Sequence, residues 1–527
     1  MPDRATPHYL TLANGQIRLW QRGAGPDLVV LGGLTRAAEV LANELALANP
    51  GCRVTALELP GIGGSRIEPS GDAEMAADHV VKALASFAEL ALIAHEMAAG
   101  LLPAILRKLG REVPVITVGL ERSLAWRGSV SAELDITPRQ DGTHLTLLWH
   151  HLRDRELLEP ENTGQPAKVG EPISPAEDLS ATFVAAATMP SGYARLWSLC
   201  HRTIGEAAKL EGCRHVALLS DVAGALAGLR ISVSGNALPP ARALPNNAIW
   251  HDSIMTSRGL MHLRRAGEGG RPLLVIPTGG GSSAQFAPVV SGLARGRQVF
   301  AVDYFGNGLS EKLDRDVTID MLAEDMAALI EALGFQEVDV WGSHTGSLVA
   351  LELAVTRPDL VRRAVLEGPV FIDPDFQADL LDNYFPQIRP DKWGLHLQLA
   401  WHWRRDMFMY WPWYRVDRAA ARDLGVPSAE DLHLYTIGIL ESGLTYDQAY
   451  RSAFKYDTVR RLPLLKRQAL ICAGPNDMLV NGVEESAKLN VPSVETTLTP
   501  TTVWWPAPEA AAAQATLDLY DAFLSRP

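Results

Sequence analysis

Residues 338–347 read VDVWGSHTGS. A short apolar run ends in a turn whose two glycines, Gly342 and Gly346, bracket a histidine at position 344. An apolar strand that stops abruptly at such a turn and continues as LVALELA is the pattern of a strand passing sharply into a helix, with one side chain held clear at the apex. The flanking sequence extends the pattern. RPLLVIPT (271–278) and RQVFAVDY (297–304) are further short apolar runs, each a candidate buried parallel strand. Between them and the apex, TIDMLAEDMAALIEALG places Leu322, Met326, Leu329 and Leu333 at helical spacing, with Thr318 as N-cap and Gly334 as the stop. Strand, helix, strand implies a mostly parallel, doubly wound α/β sheet.

The same plan occurs twice. GTHLTLLWHHLRDRELLEP (142–160) returns as GLHLQLAWHWRRDMFMYWP (394–412), offset by 252 (394 minus 142). AEDL (176–179) returns at 429–432, and ELPGIGGS (58–65) as DYFGNGLS (303–310). The small drift in offset is what loop insertions give. DLVVLGG (27–33), CRVTALEL (52–59) and ELALIAH (89–95) supply the strands of the first copy, whose apex residue is Glu96 between Ala94 and Ala98. The sequence is therefore expected to form a first domain over 1–235, a Pro/Asn-rich linker over 236–248 and a second domain over 249–527, as a tandem duplication.

Composition limits the function. Against 48 Lys+Arg stand 61 Asp+Glu, a net charge of −13 that repels phosphate backbones and anionic lipid, so nucleic acid and membrane are not expected partners. No stretch approaches the roughly 18–20 apolar residues of a membrane span, and the start lacks a basic segment followed by an apolar core, which suggests a cytoplasmic protein. The scattered cysteines, Cys52, Cys200, Cys213 and Cys472, show no CxxC pair and read as small buried hydrophobes.

In order and spacing, PTGGGSSAQF, DYFGNGLS and WGSHTGSLVALELA resemble the oxyanion loop, Gly-rich turn and nucleophile elbow of the α/β-hydrolase family. The resemblance implies two tandem α/β-hydrolase-like domains, each with a helical lid inserted after its sixth strand. It also implies Asp477 of RQALICAGPNDMLV as the acid that orients a catalytic histidine, and an oxyanion site from the Thr345 N–H with Gly279 or Gly280. Asp477 reads equally as a turn-forming residue after Asn476. The family's Ser, Cys or Asp nucleophile is replaced by His344, and Ser343 lies one position early. Its C-terminal histidine is missing as well. Thr501 or Thr502 stands there, and no histidine follows His433.

His402 and Asp406, four apart on a helix, allow three readings: a metal site, a substitute base for the missing histidine, or framework. The pair His150 and Asp154 in the first copy bears on that choice. The aromatics from Trp401 through Trp411 to Tyr414 form either a packed lid core or an apolar pocket wall. No metal or cofactor is expected. The expected function is a cofactor-independent hydrolase or lyase for a small apolar or aromatic carbonyl compound, with His344 as base or nucleophile and Asp477 behind it. The alternative is a ligand-binding or scaffold protein with both elbows retired. Glu96 reads as a retired site, and the two copies are expected to pack as an internal dimer.

Overall fold

A computed structural model describes residues 4–69, 71–233, 237–313, 315–501, 504 and 508–527. Thr502, one of the two positions named above, lies outside the described residues. The chain forms two compact units. The first comprises 1–242 with 390–395, and the second 243–389 with 396–527, so the boundary falls inside the stretch expected as linker.

The first unit is built on strands β1 (Thr6–Leu12), β2 (Gly15–Gly23), β3 (Asp27–Gly32), β4 (Arg53–Glu58), β5 (Ala91–His95) and β6 (Val115–Val118). A two-stranded ribbon, β7 (Leu158–Glu159) and β8 (Asn162–Pro166), precedes the last strand, β9 (Arg214–Val216). The second unit uses β10 (Trp250–Thr256), β11 (Gly259–Ala266), β12 (Arg271–Ile276), β13 (Arg297–Val302), β14 (Val338–Ser343), β15 (Val361–Glu367), β16 (Gln468–Ala473) and β17 (Val494–Leu498). The first sheet runs β1-β2-β4-β3-β5-β6-β9 and the second β10-β11-β13-β12-β14-β15-β16-β17. Strand for strand, the order is the same until β17 adds an edge. In both sheets an antiparallel hairpin, which the apolar runs did not announce, precedes a parallel core.

The second sheet shows why its strands read as unbroken apolar runs. Val340, Leu366 and Ile471 face one core while their neighbours Trp341, Val365 and Leu470 face the other. Successive side chains point to opposite faces, and helices cover both, so the middles of these central strands are dry on either side. The expected helix runs Ile319–Ala332, with the Thr318 hydroxyl accepting from the Met321 N–H. Between β15 and β16 lie the helices Pro374–Asn383, Leu395–Met409, Ala429–Ser442 and Gln448–Phe454. Two of the four cysteines, Cys200 and Cys472, are buried. Cys52 and Cys213 are only partly so, each lying one residue before a strand, β4 and β9 respectively.

Candidate functional site

The turn after β14 is as tight as its glycines suggest. A Cβ on Gly342 would run into the carbonyl oxygen of Gly346, and one on Gly346 into that of Ile276. Between them His344 sits at φ 51°, ψ −111°, a conformation non-glycine residues rarely adopt. Strand ends at Ser343 and helix begins at Thr345, so His344 is the apex and Ser343 is not. The turn is pinned by the His344 N–H donating to the Glu367 carbonyl (2.8 Å) and by the Ser347 hydroxyl donating to the His344 carbonyl (2.6 Å).

From this apex the imidazole reaches Asp477. Its Nε2 lies 3.0 Å from Oδ2 and 3.2 Å from Oδ1, while the Leu479 N–H donates to Oδ1 at 2.8 Å. The ring needs the space above Gly368, where a Cβ would come within 2.5 Å of the imidazole Cδ2. Burial opposes the charged imidazole, but the Asp477 carboxylate outweighs it and raises the His344 pKa above 6.5. For Asp477 burial again opposes charge, and His344 again prevails, lowering the carboxyl below its usual value. Histidine and carboxylate thus shift each other's titration in opposite directions, as a buried pair of opposite charge does. Nε2 is committed to Asp477, leaving Nδ1 as the ring nitrogen for chemistry.

A cavity of about 70 Å³ opens beside the pair, bounded by Phe286, Phe408, Tyr435, Tyr450 and Trp504 together with Gly279, Ser343 and Met407. Two charged residues that sequence reasoning missed also line it. Glu367, at the end of β15, is 3% exposed, and its Oε1 accepts from the Tyr520 hydroxyl (2.7 Å) and the Trp504 indole N–H (3.0 Å). Burial raises its pKa, only partly offset by the Tyr520 hydrogen bond, and the Asp477 charge raises it further. Two neighbouring carboxyls are thereby pushed in opposite directions, the usual arrangement of an acid beside a fixed anion. Arg422 donates to the Met407 carbonyl (2.6 Å) and leaves Nη2 buried without a partner among the described residues.

The other expected residues divide. Gly279 lines the cavity and lies against Thr345, since a Cβ there would sit 2.8 Å from Thr345 Oγ1. Thr345 is buried at the first helical position, while the Gly280 carbonyl accepts from the Arg404 guanidinium. His402 is not brought to the site. It is exposed, and Asp406 is engaged by its neighbour Arg405 (3.2 Å). His150 is likewise exposed, with Asp154 against Arg153 at 3.7 Å. In both helices the ion pair runs to the adjacent arginine, so the four-residue spacing carried neither a base nor a framework bond. Trp401 and Trp411 also lie outside the cavity lining. Trp401 is fully buried, and Trp411 packs edge-on against Tyr384 at 5.6 Å. Among the described residues, no cluster of three or more His, Cys, Asp or Glu side chains is placed to hold a metal ion. No described helix is long and apolar enough to cross a membrane.

The first unit repeats the turn with other chemistry. Glu96 occupies its apex at φ 48°, and Gly119 stands where a Cβ would touch the Glu96 Cγ at 3.1 Å, as Gly368 stands to His344. Glu96 Oε2 accepts from Arg155 Nη2 at 2.9 Å. Burial opposes the Glu96 charge, but Arg155 overrides it and holds the pKa at about 2.

Residues 271–397 match the family model described as alpha/beta hydrolase fold. A putative carbamate hydrolase RutD from Pseudomonas savastanoi pv. phaseolicola is 38% identical over 97 residues, 18% of this chain and 38% of that protein. A 2-hydroxymuconate semialdehyde hydrolase from Pseudomonas sp. (strain CF600) is 34% identical over 103 residues, 19% of this chain and 36% of that protein. The chain thus spans well under half the length of these relatives. Among solved structures, the enol-lactonase from Burkholderia xenovorans LB400 is 19% identical, with 52% of this chain and 100% of that one covered at a TM-score of 0.40. The α/β-hydrolase fold, with mixed, mostly parallel sheets, is what the family match over 271–397 and the strand order support.

Proposed function

We propose that the second unit is a cofactor-independent hydrolase or lyase for a small, largely apolar or aromatic carbonyl compound, run by His344 in place of a hydroxyl nucleophile. One observation carries this reading: the strained apex residue is an imidazole held by a buried carboxylate (3.0 Å) and facing an aromatic-walled cavity. Strain of this kind persists where surrounding structure enforces it, typically at reactive sites. In hydrolysis, His344 Nδ1 takes a proton from water and the resulting hydroxide adds to the carbonyl carbon. The new oxyanion faces the Thr345 N–H and the Gly279–Gly280 loop, and Glu367 protonates the leaving group as the tetrahedral centre collapses. Placed beside a carbonyl, the same base removes an α-proton, and the enolate so formed expels a β-substituent with its bonding electrons as Glu367 protonates it, which is the lyase variant. The carbamate and semialdehyde in the relatives' names are carbonyl compounds, consistent with that substrate class.

The common strand order and the two apex residues at positive φ further support an origin by duplication, with the first copy retained as a non-catalytic partner. The deciding experiment assays esters, lactones and β-diketones with the wild-type chain and with His344→Ala, folding checked by thermal melts. Turnover lost in His344→Ala is expected. Turnover that survives the substitution defeats the assignment, and ligand binding without any turnover favours a binding protein instead.

A further inference from the structure

A cavity of about 160 Å³ opens beside the Glu96 turn, lined among others by Thr35, Arg36, His95, Glu96 and Arg155, and three of these residues carry buried side-chain nitrogens with unmet hydrogen bonds. Arg155 is 5% exposed. Its Nη2 is spent on Glu96, whereas Nε and Nη1 have no partner among the described residues. Arg36, 6% exposed, gives Nη2 to Glu44 at 2.7 Å and leaves Nε unpartnered. His95, 3% exposed, has Nδ1 at 3.3 Å from Thr35 Oγ1 and Nε2 unpartnered. Native structures rarely leave buried donors unmatched, and charged ones cost most. Three of these four atoms are guanidinium N–H groups, and an N–H of that kind is satisfied only by an acceptor.

We infer that this cavity is a binding site for a small carboxylate, whose oxygens accept from the unpartnered N–H groups of Arg155 and Arg36. Charged N–H donors on two different guanidinium groups are met better by an anion with two acceptor oxygens than by a neutral acceptor. The remaining charge around the cavity agrees. Lys168 is exposed at the lining, and among the described residues Arg122 donates only to the carbonyls of Val169, Arg155 and Leu158. The lining carboxylates are already engaged: Glu96 by Arg155, Glu156 by Ser174, and Glu171 by the Leu219 N–H. In size the cavity is comparable with the roughly 150 Å³ that admits a benzene-sized molecule, so the ligand is compact. Chemistry at the second unit is not needed for this binding.

Calorimetric titration of the full chain with sodium benzoate, sodium pyruvate and inorganic phosphate, with benzamide as the uncharged control, tests the inference. At least one carboxylate is expected to saturate a single site that benzamide does not fill. The double substitution Glu96→Gln/Arg155→Met removes both members of the pair, leaves no lone buried charge, and is expected to weaken binding at least about tenfold. Arg36→Gln, which leaves that pair intact, should weaken it as well and stands in if the double variant does not fold. His344→Ala should leave the affinity unchanged, which separates this cavity from the one in the second unit. The inference is overturned if neither carboxylate saturates, if phosphate alone binds, or if binding survives the first-unit variants and disappears in His344→Ala.

Discussion

The two apex turns share a backbone and differ in charge. Glu96 and His344 both sit at positive φ, and each packs over a glycine that follows the next strand, Gly119 or Gly368. Each also answers a partner of opposite charge. In the second unit the partner is Asp477, from the turn after β16. In the first it is Arg155, from the helix Thr143–Leu157. By the offset of 252, Arg155 corresponds to Met407 (407 minus 252), which lines the cavity beside His344. The lesson is that the fold fixes the strained apex and the empty space above it. The sign of the buried pair, and the element that supplies its second member, are free to vary.

The widest separation between the two turns is expected in rate. His344→Ala should lower turnover by about 10²–10⁴, the usual contribution of a general base, whereas Glu96→Gln should change it by less than about twofold. Equal losses would mean that the first turn takes part in the chemistry. Stability should divide the other way. Arg155→Met alone leaves Glu96 charged and buried, at a cost of about 3–5 kcal/mol in chemical denaturation that a second substitution, Glu96→Gln, should largely recover. Because the folded Glu96 pKa is held near 2, below its ordinary 4.5, the stability it contributes is present above pH 4.5 and drains away as pH falls towards 2.

A smaller contrast lies within the second unit. Phe408→Ala enlarges the cavity and should weaken apolar ligands, while Trp411→Ala should lower the melting temperature, by about 3 kcal/mol of stability, with binding nearly intact. The reverse result would move Trp411 into the pocket wall. The finest test is the pH profile. A neutral His344 is the base, so the rate should climb with pH through a midpoint above 6.5. In Asp477→Asn the main raising charge is gone, leaving burial and Arg422 to lower the imidazole pKa against the weaker raising effect of Glu367, so the residual rate should climb through a lower midpoint. An unmoved midpoint would separate the titrating group from His344.

Much of this arrangement was legible in the sequence because it rests on local signals. Apolar runs marked β12, β13 and β14, and small residues two before and two after the apex located His344 and Glu96 without any structural aid. Glu367 was hidden because it ends an ordinary strand and meets His344 only through parallel pairing of β14 with β15. Arg422 lies in an irregular stretch with no periodicity to place it. The His402–Asp406 spacing misled for a different reason. Being four apart on a helix allows contact but does not say which face is buried, and the adjacent Arg405 is the nearer partner for the carboxylate.

The space above Gly368 also constrains how this protein can change. A serine at position 344 would be too short to cross that space to Asp477, and no histidine after His433 is available to bridge them. A hydroxyl nucleophile at this turn therefore needs two coordinated replacements, one at the apex and one that supplies a histidine to join it to Asp477.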